Sequence, residues 1–106
     1  MVKNGMRPVH PGEILLEEFM KGSDLPLNAN TVAKALEVPA NRITAIIKGQ
    51  RGITGDTAVR LAAFFNTTAE FWMNLQKGYE LRLAEQALPD RVRRHIEHNR
   101  NILVSV

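Results

Sequence analysis

The dipeptide Val38-Pro39 constrains this chain more than any other feature. Proline steers the residue before it out of helical geometry, so the apolar periodicities on either side cannot belong to one helix. Ahead of the break, Val32, Ala33 and Leu36 recur at helical spacing behind Asn28, a natural N-cap. Beyond it, Ile43, Ile46 and Ile47 form a second stripe, and Gly49 is placed for a left-handed stop. Two short helices joined by a turn of about three residues must cross closely. Ala33 is small where they meet, and Val38 plugs the turn. This is the pattern of a helix-turn-helix unit over roughly residues 28–48. Glu37 stands where such turns often place glycine, and a left-handed glutamate costs about 1 kcal/mol.

Other helices flank the unit. His10-Pro11 opens one through Ile14, Leu15, Glu18 and Phe19, with Gly22-Ser23 as its stop. Another follows Thr54, carrying Ala58, Leu61, Ala62 and Phe65. Thr67 through Glu70 reads as a capping box with Thr67 as the cap. Phe71, Trp72, Leu75, Tyr79 and Leu83 continue from it, and their spacing assigns them mainly to a core. Past Pro89, residues 90–99 form a weak helix through Val92 and Ile96, and residues 102–106 favour a strand or a tail. The expected fold is therefore all-α. A five-helix domain spans residues 1–88, and residues 89–106 form a C-terminal extension of helix, strand or both.

Composition narrows the function. The 106 residues carry 44% hydrophobic side chains, enough for one modest core, and a net charge of +3. The cations Lys34, Arg42, Lys48, Arg51 and Arg60 surround the two-helix unit against only Glu37 and Asp56, which points to a polyanion. The absence of cysteine excludes disulfides and thiolate metal sites. No long apolar run indicates a secretory signal or membrane span, so a cytoplasmic location is expected. His95 and His98 lack a third ligand at recognisable spacing, so neither a metal nor another cofactor is expected. There is no nucleophile–base pair or phosphate-cradling loop, and no catalytic residue is assigned.

In a helix-turn-helix the second helix enters the major groove with its N-terminal residues against base edges. Asn41 can pair with adenine, and Arg42 with guanine or a phosphate. Thr44 offers a hydroxyl and a methyl, and Ala40 or Ala45 can meet a thymine methyl. Lys48, Gln50 and Arg51 lie better for phosphates. Asn30 and Thr31 open the first helix, where backbone N–H groups can hold another.

"HPGEILLEEF" (His10 to Phe19), "GQRGITGDTAVRLAAFF" (Gly49 to Phe65) and "NTTAEFWMNLQKGYEL" (Asn66 to Leu81) resemble the HigA-type antitoxins, a branch of the phage-repressor-like XRE helix-turn-helix family. The likeness runs from about His10 to Leu83 and implies a phage-repressor-like domain. It also implies a homodimer on a palindromic operator, repression of the protein's own operon, and neutralisation of a HigB-type toxin, a ribosome-dependent mRNA endonuclease. It makes Ala40, Asn41, Arg42, Thr44 and Ala45 the base-facing positions, with Lys48, Gln50 and Arg51 at their flank. Such toxins act on RNA and are expected to be basic, so the acidic Glu13, Glu17 and Glu18 are candidate toxin contacts. The alternatives are an orphan XRE-family regulator without a toxin and an interaction bundle that has lost DNA binding.

Overall fold

The computed structural model describes residues 7–22, 24 and 26–102. Six α-helices and one π-helical segment make up its regular structure, and there is no strand among the described residues. The first helix, α1 (Pro11–Ile14), runs into the π-helical segment Leu15–Met20. There follow α2 (Ala29–Leu36), α3 (Ala40–Ile47), α4 (Gly55–Phe65), α5 (Ala69–Ala87) and α6 (Asp90–Asn99).

The stripes read from the sequence meet in one core. Val32, Ala33 and Leu36 of α2 pack with Ile43 and Ile46 of α3, beneath Leu15, Met20, Ile53, Ala58, Leu61 and Trp72. Asn28 caps α2 by accepting the Thr31 N–H at 2.8 Å. Gly49 is left-handed, at φ +74°. Glu37 is left-handed too, at φ 59° and ψ 47°. In that conformation the Val38 N–H donates to the Ala33 carbonyl at 3.0 Å, which closes α2 and redirects the chain into α3.

Three local readings need correction. The first helix is not uniformly α. Its second half widens to the π spacing, with the Lys21 N–H donating to the Leu16 carbonyl at 2.8 Å. Leu15 and Met20, five residues apart, are thereby both buried, where an α-helix would turn one of them outward. Ser23, half of the expected Gly22-Ser23 stop, lies outside the described residues.

The cap of α5 is Thr68, not Thr67. The Thr67 N–H still serves α4, donating to the Ala62 carbonyl at 3.0 Å beyond left-handed Asn66. The Thr68 hydroxyl accepts from the Phe71 N–H at 3.0 Å. The Thr67 hydroxyl instead takes the Trp72 indole N–H at 2.7 Å.

The C-terminal extension is helical through Asp90–Asn99, and Ile102 is helical as well. Residues 103–106 of the expected strand lie outside the described residues. No residue of α6 is buried, and on α5 burial ends at Gln76. The second half of α5 and α6 therefore project from the body, which explains extents of 60 × 28 × 23 Å.

Candidate nucleic-acid interface

The outward side of α3 is defined by what its inward side buries. Ile43 and Ile46 are fully buried, so Asn41, Thr44, Ala45 and Lys48 form the opposite stripe. No acid lies on this helix. Ala40, Asn41 and Lys48 are exposed, and Thr44 and Ala45 are half-exposed. The Thr44 hydroxyl donates to the Ala40 carbonyl at 3.2 Å, which leaves its methyl as an outward feature. Gln50 and Arg51 are exposed just past the end of α3.

Arg42 differs from its neighbours. Its side chain is only 24% exposed, and its Nη1 donates to Asp56 Oδ2 at 2.7 Å. The same oxygen accepts from Arg60 Nε at 3.0 Å, and Arg60 Nη1 donates to the Leu36 carbonyl at 2.7 Å. This chain of contacts ties the end of α2, the start of α3 and the first turn of α4. Hydrogen bonds from Arg42, then Arg60, hold the Asp56 carboxyl below the usual carboxylate range. Exposed ion pairs contribute little stability, so the chief effect is geometric.

At the start of α2, Asn30 and Thr31 are exposed beside Lys34 in a shallow groove. Thr31 donates both its N–H and its hydroxyl to Asn28 Oδ1, at 2.8 and 3.0 Å. Lys34, assigned no site role from the sequence, is the cation of this groove.

The three acids are dispersed in role. Glu13 accepts from Arg7 through both carboxylate oxygens at 2.7 Å and completes a capping box with His10. The Arg7 hydrogen bonds hold its carboxyl below the usual range. Glu17 pairs with Lys21 at 3.3 Å, one turn on, and Glu18 is exposed.

Two buried polar groups hold α3 and the connection after it. Gln76 Oε1 accepts the Ile53 N–H at 2.7 Å, and its Nε2 donates to Glu80 at 2.8 Å. The only sequence signal for Gln76 was its position one turn after Trp72 on a buried face. His10 is buried, and its Nδ1 accepts the Gly12 N–H at 2.9 Å, which requires the neutral ring. The ring packs edge-on to Tyr79 at 4.8 Å. Burial lowers the His10 pKa, against opposing contributions from Glu13 and the Arg51 backbone.

Lowering the folded-state pKa of His10 means that the unfolded chain binds more protons. The stability from the neutral ring is thus fully present above the ordinary imidazole pKa of about 6.5 and is lost as pH falls below it. We expect the melting temperature to fall between about pH 6.5 and 5, before carboxylate protonation takes over. The variant His10→Asn, which caps without titrating, should flatten that segment. Parallel wild-type and variant curves across this window would refute the assignment.

The described residues contain no group of three or more His, Asp or Glu placed to hold a metal. His95 and His98 are exposed on α6. No described helix is long and apolar enough to cross a membrane.

Comparison with known proteins agrees with this geometry. A helix-turn-helix family model matches residues 27–72. Virulence-associated protein I of Dichelobacter nodosus is 50% identical over 84 residues, covering 79% of this chain and 76% of the relative. The solved Pseudomonas aeruginosa antitoxin HigA with higBA promoter is 44% identical at a TM-score of 0.74, covering 87% of this chain and 94% of that one. The chain belongs to the HigA-type antitoxins of the XRE helix-turn-helix family. Antitoxin GraA, solved in complex with its operator, is 42% identical with a TM-score of 0.71, over 100% of this chain and 95% of that one. Members of this HigA-type family are DNA-binding regulators rather than enzymes.

Proposed function

We propose that this HigA-type chain acts in the cytoplasm, docking α3 in the major groove of its own operator and repressing its operon. The observation that carries this is the acid-free stripe of Asn41, Thr44, Ala45 and Lys48, set opposite fully buried Ile43 and Ile46. In this reading Asn41 pairs with adenine, while Ala40, Ala45 and the Thr44 methyl meet thymine methyls. Arg42 adds a guanine contact from the flank. Lys48, Gln50 and Arg51 hold one phosphate run, and Asn30 and Thr31, joined by Lys34, hold another.

Fluorescence anisotropy with a duplex from just upstream of the gene tests it. Wild type should prefer that duplex over a scrambled one by about 10³-fold or more. Asn41→Ala should lose about 10- to 100-fold of that preference at one A·T pair. Lys48→Ala should weaken both duplexes alike and shallow the salt slope by about one unit. Equal, weak binding of wild type to both duplexes overturns the reading.

A palindromic operator calls for two copies with half-sites roughly 34 Å apart. The projecting arm offers a surface for the second copy, with Leu81, Leu83 and Ile96 exposed on it. A ten-residue helix such as α6 is marginal alone in water, which favours a partner for this arm. A monomeric mass in sedimentation would exclude the homodimer.

Antitoxin action supplies the other half of the function: neutralisation of a HigB-type, ribosome-dependent mRNA endonuclease. Because Arg7 holds Glu13 through both carboxylate oxygens, whereas Glu17 has only the longer contact to Lys21 and Glu18 is exposed, the acidic toxin contact centres on Glu17 and Glu18. Charge reversal of both should slow association with the toxin at low salt, and unchanged kinetics would remove them from the interface.

A further inference from the structure

Arg42 is held before any ligand arrives, and the group that holds it is an acid in a region otherwise suited to a polyanion. Asp56 lies in the first turn of α4, across the α3–α4 connection from Arg42. Its Oδ2 takes Arg42 Nη1 at 2.7 Å and Arg60 Nε at 3.0 Å. Arg60 is itself anchored on the Leu36 carbonyl at 2.7 Å, so the carboxylate is fixed from α2 and α4 together. A free arginine samples many rotamers and loses that freedom on binding. Arg42 has already lost part of it. A guanidinium has five N–H donors in a rigid fork, and the bond to Asp56 engages one of them. The rest remain for a base edge.

The charge of Asp56 has a second consequence. A carboxylate beside the duplex repels phosphates whatever the sequence, so it weakens non-specific binding. Holding a base-reading arginine and repelling the backbone both widen the gap between right and wrong DNA.

We propose that Asp56 is a positioning residue for DNA readout: it presents Arg42 to one guanine and lowers affinity for unrelated sequence. This rests on α3 being the recognition helix. In this arrangement Arg42 contributes specificity rather than bulk affinity, and Arg60 supports it at one remove by fixing the carboxylate.

The test measures the full-length protein against the upstream duplex, a scrambled duplex and a set with each base pair of the operator changed singly. The proteins are wild type, Asp56→Asn, Arg42→Gln and the double variant, with melting temperatures recorded for each. Asp56→Asn should bind the scrambled duplex more tightly than wild type. It should also lose about 10- to 100-fold of discrimination at one G·C pair. Arg42→Gln should lose discrimination at that same pair, and the double variant should lose no more than Arg42→Gln alone. A purely structural Asp56 would instead lower the melting temperature and weaken all duplexes together.

If wild type discriminates and folded Asp56→Asn gives the same base-pair profile, the proposal fails while the recognition helix stands. If wild type itself shows no preference, the recognition-helix reading fails. Should Asp56→Asn not fold, Arg60→Gln, which removes the second anchor of the same carboxylate, must lower discrimination at that G·C pair. An unchanged profile for that variant overturns the proposal equally.

Discussion

Gly12→Ala is expected to destabilise the domain by about 3 kcal/mol or more and to abolish operator binding. Elsewhere in a helix the exchange would favour folding by about 1 kcal/mol, because glycine is the poorer helix former. Here a Cβ on residue 12 would stand 1.8 Å from the Ile46 carbonyl oxygen and 2.7 Å from its carbon. Both are backbone atoms, so no rotamer change can relieve the clash. That oxygen also accepts the Gly49 N–H at 3.0 Å, the bond that ends α3. Relief must come from moving α1 away from α3 or tilting α3, and a tilt of α3 would misplace every base contact proposed for it at once. Gly55 supplies the control, since a Cβ there meets nothing within 4 Å. Thermal melts and operator titrations of Gly12→Ala and Gly55→Ala in one buffer decide the matter. A Gly12→Ala protein within about 0.5 kcal/mol of wild type would falsify the close-approach argument.

Trp72→Ala should cost about 3–5 kcal/mol. Small domains hold only about 5–15 kcal/mol in total, so the variant should be at or near unfolding at 37 °C. Trp72 is fully buried, its indole N–H is taken by Thr67, and its ring lies 4.9 Å from Phe19 and 5.0 Å from Phe71. It joins the π-helical segment, the end of α4 and the start of α5, which no smaller side chain can span. The milder Trp72→Phe keeps most of the apolar contact and loses the hydrogen bond, worth about 0.5–1.5 kcal/mol. Urea denaturation must be followed by far-UV circular dichroism, because this is the chain's single tryptophan. A cost for Trp72→Ala below about 1.5 kcal/mol would show that the ring is not the centre of the core.

The two effects differ in how readable they were. Helical spacing alone put Trp72 in the core, whereas nothing in the sequence indicated that Gly12 lies against Ile46. The same division runs through the site. Asn28 as a cap, the paired stripes of α2 and α3, the left-handed stop at Gly49 and the strained turn at Glu37 follow from residue chemistry within one or two helical turns. The shift of the α5 cap from Thr67 to Thr68 does not. It depends on Asn66 ending α4 left-handed and on the buried indole claiming the Thr67 hydroxyl. The π-helical segment is of the same kind, since the need to bury both Leu15 and Met20 arises only once α1 is docked.

By itself the sequence determined the all-α class, the helix-turn-helix at residues 28–48 and the polar, acid-free outward stripe of α3. Each depends on a local period or a single residue's backbone preference, and such preferences act whether or not the chain is folded. Tertiary structure decided which of those polar residues are available. It joined Arg42 to Asp56, Arg60 to the Leu36 carbonyl and Gln76 to the Ile53 N–H, across 14, 24 and 23 residues of chain. A hydrogen bond acts over about 3 Å and carries no memory of sequence separation. Such partners exist only after packing has brought distant helices together.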